Sequence, residues 1–317
     1  MFNLSNQPRP AYGGQAVIEG VMFGGKHYTV TAVRRKDDTI EYYEEPKEEI
    51  PWVKKLQRIP FLRGIVGLIT SSANGSKHLN FSTERYDSEP GKEKQENSAP
   101  SRLTMILGVA VIGVLSFLFG KLIFTVVPAI LADVLFQRVT NNIVQNLIEG
   151  GIKIILLLVY ILVIARTPMI KRLFQYHGAE HKVINAYEAG VELTVKRVQQ
   201  FSTLHYRCGS SFIVFTVLVG VVIYSFFHYD SLWERIYQRI LLLPVVIGVS
   251  YETLQATNKL RNVPFLRILG YPGLWLQKIT TREPDDKQVE VAIASFLRMR
   301  ELDEAKHSAP TTTISIS

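Results

Sequence analysis

Cysteine is almost absent from this chain: Cys208 is the one thiol among 317 residues. That excludes an intrachain disulfide and suits a reducing compartment. The opening stretch Met1–Pro10 is polar and has no apolar run, so no cleavable export signal is expected there. No zinc finger, RNA-binding signature or other nucleic-acid motif occurs, and no long-period repeat. Basic residues outnumber acidic ones, 36 to 28, for a net charge of +8. Without a nucleic-acid motif, that excess reads as loops facing anionic lipid headgroups, and no nucleic-acid partner is expected.

What the chain has in quantity is apolar length. Hydrophobic residues make up 47% of it, yet 20% are charged, a mixture that fits membrane spans alternating with aqueous segments. A spanning helix needs about 20 mostly apolar residues. Four stretches qualify: Leu103–Gly120, extended past Lys121 by Leu122–Phe136; Ile154–Ala165, lengthened backwards through Leu147; Ser210–Tyr229; and Ile240–Ala256. Glu149 and Lys153 form an i,i+4 pair that partly neutralises itself at the edge of the second span. The expected fold is an α-helical integral membrane protein of about four spans with a small N-terminal β region.

Basic residues set the orientation. The connection between the second and third spans holds Arg166, Lys171, Arg172, Lys182, Lys196, Arg197 and Arg207. The first connection holds only Arg138, and the third balances Arg235 and Arg239 against Asp230 and Glu234. Lys259, Arg261, Arg267, Lys278 and Arg282 follow the last span. The chain is therefore expected in the cell membrane with both termini and the long middle connection in the cytoplasm. The lipid bilayer is its one assigned partner; association with itself or with other membrane proteins stays open.

The divisions follow: a cytoplasmic N-terminal region (1–81), a linker (82–101), two spans (102–165), a cytoplasmic connection (166–209), two more spans (210–257) and a cytoplasmic C-terminal region (258–317). In the first region Ala16–Met22, Tyr28–Arg34 and Thr39–Glu44 read as strands, the last two joined at Lys36-Asp37-Asp38 as a hairpin. Pro60–Leu79 and Pro264–Ile279 are apolar but interrupted, as expected of interfacial helices or re-entrant hairpins. Asp286–Leu302 reads as an amphipathic helix, with Asp285 and Gln288 as its capping pair. Gly20–His27 matches a phosphate loop until its last position, where His27 replaces the magnesium-binding hydroxyl residue and a strand follows instead of a helix.

The middle connection carries the chemistry. His177-Gly178-Ala179-Glu180-His181 has the spacing H-x-x-E-H, which on a helix puts two imidazoles one turn apart with a carboxylate in reach. His177 and His181 can bind a divalent metal such as zinc while Glu180 handles a proton. Two further ligand sets stay open. His205 and Cys208 would complete a tetrahedral nitrogen/sulfur set; a carboxylate, Glu188 or Glu252, would instead leave a position for water. Glu252 is notable as an acid inside an apolar stretch, able to serve a metal or to pair with Lys182 or Arg207. The competing reading is a non-enzymatic scaffold in which these side chains form a buried hydrogen-bond network.

Four segments, Gly-Gly-Gln-Ala-Val-Ile-Glu-Gly-Val-Met (13–22), Tyr-His-Gly-Ala-Glu-His-Lys-Val-Ile-Asn-Ala-Tyr-Glu (176–188), Leu-His-Tyr-Arg-Cys-Gly (204–209) and Thr-Thr-Arg-Glu-Pro-Asp-Asp (280–286), together resemble the YqhQ-like family of bacterial multipass membrane proteins. The resemblance runs from residue 11 to about residue 300. It implies a membrane protein of a kind described as a metal-dependent enzyme, a description that leaves the reaction open. His177, Glu180, His181, His205 and Cys208 all keep their donor atoms.

Overall fold

The computed structural model describes residues 10–48, 50–87, 119–120, 122–139, 141–260 and 263–308. The chain is mostly helical, with one antiparallel sheet near its start. Four strands, β1 (Gly13–Val17), β2 (Gly20–Gly24), β3 (Tyr28–Arg34) and β4 (Ile40–Pro46), lie side by side in sequence order. The single strand expected over Ala16–Met22 is two, because the chain reverses at Ile18-Glu19, with Glu19 at φ 53°. The β3–β4 hairpin forms as expected, pairing Arg34 with Ile40 around the 36–38 turn.

Both faces of the sheet are covered, which is why Thr29 to Val33 are all buried. On one face lie α5 (Pro168–Glu188), which carries the histidine motif, and α11 (Asp286–Ser308). Phe23, Val30, Tyr176, Val183, Val289 and Phe296 share that core. Three segments far apart in sequence thus build one hydrophobic unit. α11 begins with the expected capping pair: Gln288 N–H donates to Asp285 at 2.8 Å, and Asp285 N–H to Gln288 at 2.9 Å. The phosphate-loop look-alike is explained here too. The backbone N–H groups of Lys26, His27 and Tyr28 close on the Asp303 carboxylate of α11, at 2.5–3.0 Å.

On the other face lies α2 (Leu62–Asp87), which follows the short α1 (Pro51–Leu56). It is one continuous helix, not a hairpin, and runs six residues into the stretch expected to be a linker from Ser82. His78 is fully buried there, 2.7 Å from Thr31 Oγ. Burial pushes its pKa down to about 4, outweighing Glu45 3.5 Å away. A histidine with a lowered folded pKa binds fewer protons than the unfolded chain does between the two values, so its stabilisation is complete above pH 6.5 and falls towards pH 4. We expect a loss of about 3 kcal/mol across that window. Denaturation midpoints at pH 7 and about pH 4.5 should diverge in the wild type and converge in His78→Gln.

The apolar part contains a π-turn (Leu122–Val126) leading into α3 (Val127–Leu135), then α4 (Asn142–Ile164). After α5 and the one-turn α6 (Val195–Val198) come α7 (Ser211–Tyr224), α8 (Leu232–Leu241), α9 (Leu243–Lys259) and α10 (Tyr271–Thr280). Among the described residues, one helix is by itself long and apolar enough to cross a bilayer: α4, whose 23 residues rise about 34 Å. α8 and α9 pass that test together, bent by 53° at Leu242. The helix in the third expected span has 14 residues, or about 21 Å, less than a bilayer core. Residues 103–118 of the first expected span lie outside the described residues, as do 88–102 and 309–317.

Arg235 and Arg239, expected in an aqueous connection, are each about 1% exposed. α8 turns them onto Glu149 of α4, with nitrogen–oxygen distances of 2.7 and 3.0 Å, and Lys153 lies 3.8 Å from the same carboxylate. Tyr224 and Tyr229 lie against the guanidinium planes.

Pro-Phe-Leu-Arg occurs twice, at 60–63 and 264–267, and makes the same tight turn each time. Phe61 and Phe265 have φ of 67° and 68°, and the next N–H reaches back to the proline carbonyl at 2.9 Å. Both rings face outwards, 54% and 90% exposed.

Candidate metal centre

Helix α5 begins at Pro168, tolerated in the first turn, and its i, i+4 spacing brings the His177 and His181 rings to 4.4 Å centre to centre. Gly178 between them lets the 280–286 segment lie directly on the helix. A Cβ at Gly178 would sit 2.0 Å from the Arg282 carbonyl oxygen. Arg282 N–H in turn donates to the Phe174 carbonyl at 2.9 Å.

That docking aims the imidazoles. His177 Nδ1 lies 2.8 Å from the Thr280 carbonyl, and His181 Nδ1 lies 2.5 Å from the Thr203 carbonyl. A carbonyl only accepts, so each ring carries its proton on Nδ1 and leaves the Nε2 lone pair free. The two Nε2 atoms face Cys208 Sγ, which is 3.2 Å from His177 Nε2. His177, His181 and Cys208 each bring one donor atom, all within 4.8 Å of one another. Donors around a tetrahedral zinc stand roughly 3.3–3.8 Å apart, given bonds of about 2.0–2.3 Å. The set fits such an ion with a small contraction. His181 Nε2 is buried and has no hydrogen-bond partner among the described residues. Burial lowers the His181 pKa, which keeps its lone pair available.

The site's support was mostly not foreseen. Buried Lys182 donates to the Gln199 and Phe201 carbonyls, both at 2.8 Å, and Asn185 to those of Ser202 and Leu204. These bonds hold the loop that offers Thr203 to His181. Gln277 of α10 brackets His205, accepting from its N–H and donating to its carbonyl at 2.8 Å each, which fixes the approach to Cys208. Glu19, in the 13–22 motif, pairs with Arg172 and accepts from the Tyr176 hydroxyl, tying the β1–β2 turn to α5. No local pattern marks Gln277 or Thr203, whereas Lys182 and Asn185 sit within the motif run.

Glu180 turns towards β1, its Cγ 3.0 Å from the position a Cβ on Gly14 would take. Burial raises its pKa. It lines a cleft of about 360 Å³ together with His177, His205 and Cys208. The other expected ligands stand apart from the three donors. His205 has its ring centre 5.7 Å from that of His181, but its Nε2 lies 3.6 Å from Glu188. Glu188 is held by Arg207 and His205 and does not approach the histidine pair. Glu252 does not join the site or pair with Lys182 or Arg207. Its carboxylate accepts from Phe61 N–H at 3.1 Å and binds Arg63, seating the first Pro-Phe-Leu-Arg turn on α9.

The geometry can be set beside known proteins. The family model described as "Protein of unknown function (DUF1385)" matches residues 59–302. An uncharacterised protein, YqhQ of Bacillus subtilis (strain 168), is 56% identical over 301 residues, covering 93% of this chain and 95% of that protein. No solved structure matches. With a match of that length and identity, the chain belongs to the YqhQ-like, DUF1385 family.

Proposed function

We propose that the protein is a metal-dependent hydrolase of the cell membrane whose site faces the cytoplasm. The observation that carries the reading is the convergence of His177 Nε2, His181 Nε2 and Cys208 Sγ beside a cleft that Glu180 also lines. Three protein ligands with one position left over is the pattern of catalytic zinc. A divalent ion held there would polarise a carbonyl and acidify water. Glu180 would take the proton of the attacking water and deliver it to the leaving group, so that one water is added across the broken bond.

The membrane reading draws support from α4 and the bent α8–α9 pair. Exposed Phe61, Phe265 and Trp275 suit the interface. The N-terminal sheet, the motif helix and α11 share one core, which supports reading the regions before, between and after the apolar helices as lying on one side. The basic bias of those regions supports reading that side as the cytoplasm.

One observation favours the scaffold instead: His177 and Cys208 already satisfy each other at 3.2 Å. Metal content separates the two. Purified protein should carry about one zinc, manganese or iron per chain. His181→Ala should lower its affinity by more than the roughly 10–100-fold typical of losing a residue that only orients a ligand. Glu180→Gln should keep the metal and lose the cellular phenotype. Protein that neither carries nor takes up an ion establishes the scaffold.

A further inference from the structure

We propose that the cleft takes an extended polypeptide segment, bound as an added strand along β1; this substrate class rests on the hydrolase reading above. β1 is an edge strand, and its pairing shows where its backbone groups point. Arg34 N–H donates to the Glu19 carbonyl, and Gly25 N–H to the Tyr28 carbonyl, both at 2.8 Å. The odd-numbered residues of β2 therefore bond to β3, and its even-numbered residues bond to β1. By the observed register, Gly13, Gln15 and Val17 are the partners of Gly24, Met22 and Gly20. The backbone groups of Gly14 and Ala16 are left pointing off the sheet.

The cleft lies along this edge. Five consecutive residues, Tyr12 to Ala16, line it, whereas a strand facing a cavity with its side chains would contribute alternate residues. Gln15 shows the distinction: its side chain turns away to Gly75 of α2. The opposite wall is the α5 face carrying Phe174, His177 and Glu180, and Cys208 stands at the end. Unpaired N–H and C=O groups on an exposed edge are what an extended peptide binds by strand addition. The volume, about 360 Å³, suits a short stretch of chain and not a folded domain.

Glu180 lies beside the same edge, its Cγ 3.0 Å from the position a Cβ on Gly14 would take, so an added strand would run alongside the general base. Hydrolysis there adds one water across an amide bond. The carbonyl carbon keeps the hydroxyl and leaves as a carboxylate, and the nitrogen leaves as an amine with the proton that Glu180 took.

Gly13 provides a blocking site. It is exposed, lines the cleft, and an added Cβ would meet nothing within 4 Å, so Gly13→Trp should fold and narrow the entrance. The test uses the full chain in detergent with zinc, carrying Glu180→Gln, and a random pool of end-capped octapeptides. Retained peptides are identified by mass spectrometry, and the best is remade with single N-methyl groups at each amide. Retention should fall about tenfold for methyl groups on alternate nitrogens and little for those between, since each removes one hydrogen bond or none. Gly13→Trp should abolish retention with zinc content unchanged. If zinc binds but the pool is retained no better than by Gly13→Trp, or the methyl scan lacks a period of two, the polypeptide proposal fails and the hydrolase reading stands. Peptides retained with that period by a protein that binds no zinc would uphold the strand site and sink the hydrolase.

Discussion

Glu149→Gln should lower the stability of the detergent-purified protein by about 3–5 kcal/mol, the cost of breaking a buried ion pair. Glu149 is 2% exposed and is the carboxylate on which Arg235 and Arg239 both converge, with Lys153 beside it. Glutamine keeps the shape and can still accept a hydrogen bond, but it removes the charge. Three cations would then lie together with no anion in contact among the described residues, and α8 would be pushed from α4. A melting temperature about 10 °C lower is expected by thermal unfolding. The combination Glu149→Leu, Arg235→Met, Arg239→Met should recover most of the loss, since replacing a whole buried network with apolar residues is often neutral. A single variant that melts with the wild type would show that the cluster does not hold these helices together.

Gly178→Ala should disassemble the candidate metal centre without removing any donor atom. The new methyl group would sit 2.0 Å from the Arg282 carbonyl oxygen, which is backbone and cannot rotate away. The 280–286 segment would have to lift from α5, taking with it the Thr280 carbonyl that orients His177. Overpacking of this kind costs about 1–3 kcal/mol. The diagnostic loss is in metal affinity, which should fall by at least the roughly 10–100-fold expected when an orienting bond goes. A serine at this site should behave similarly, because the obstacle is the Cβ. Gly67 and Gly151, where a Cβ meets nothing within 4 Å, make matched controls. Equal zinc affinity in wild type and Gly178→Ala would overturn this account of the glycine.

The site was legible to the extent that its residues are close in sequence. H-x-x-E-H states its own geometry once it lies on a helix, and Asp285 with Gln288 announces a helix start by a three-residue spacing. Cys208 was within reach because a histidine and a cysteine three apart suggest ligands. His205 was included for the same reason, yet its nitrogen faces Glu188; spacing cannot tell which of two neighbours turns inwards. Glu252 was misplaced because its partner, Arg63, lies 189 residues away, and nothing near Glu252 in sequence indicates it. Arg235 and Arg239 looked like loop charges beside Asp230 and Glu234, but on α8 they fall one turn apart and face inwards. The break at Glu19 is signalled only weakly: Glu19-Gly20 marks a turn or close backbone packing, while the apolar residues around it let Ala16–Met22 read as one strand.

The shared core of sheet, motif helix and α11 also sets an order for biosynthesis. Ser295 of α11 donates to the Val30 carbonyl of β3 across 265 residues, and every apolar helix described lies between them. At ribosomal speeds of about 5–20 residues per second, β3 waits roughly 13–50 s for the helix that covers it. During that interval the nascent sheet exposes Phe23, Val30 and Ala32 while the apolar helices are still being synthesised. The histidine helix emerges midway and cannot acquire its final setting until residues 280–303 follow. The candidate metal centre is therefore among the last parts of the protein to be completed, and its three donors meet only in a chain whose apolar helices have already been made.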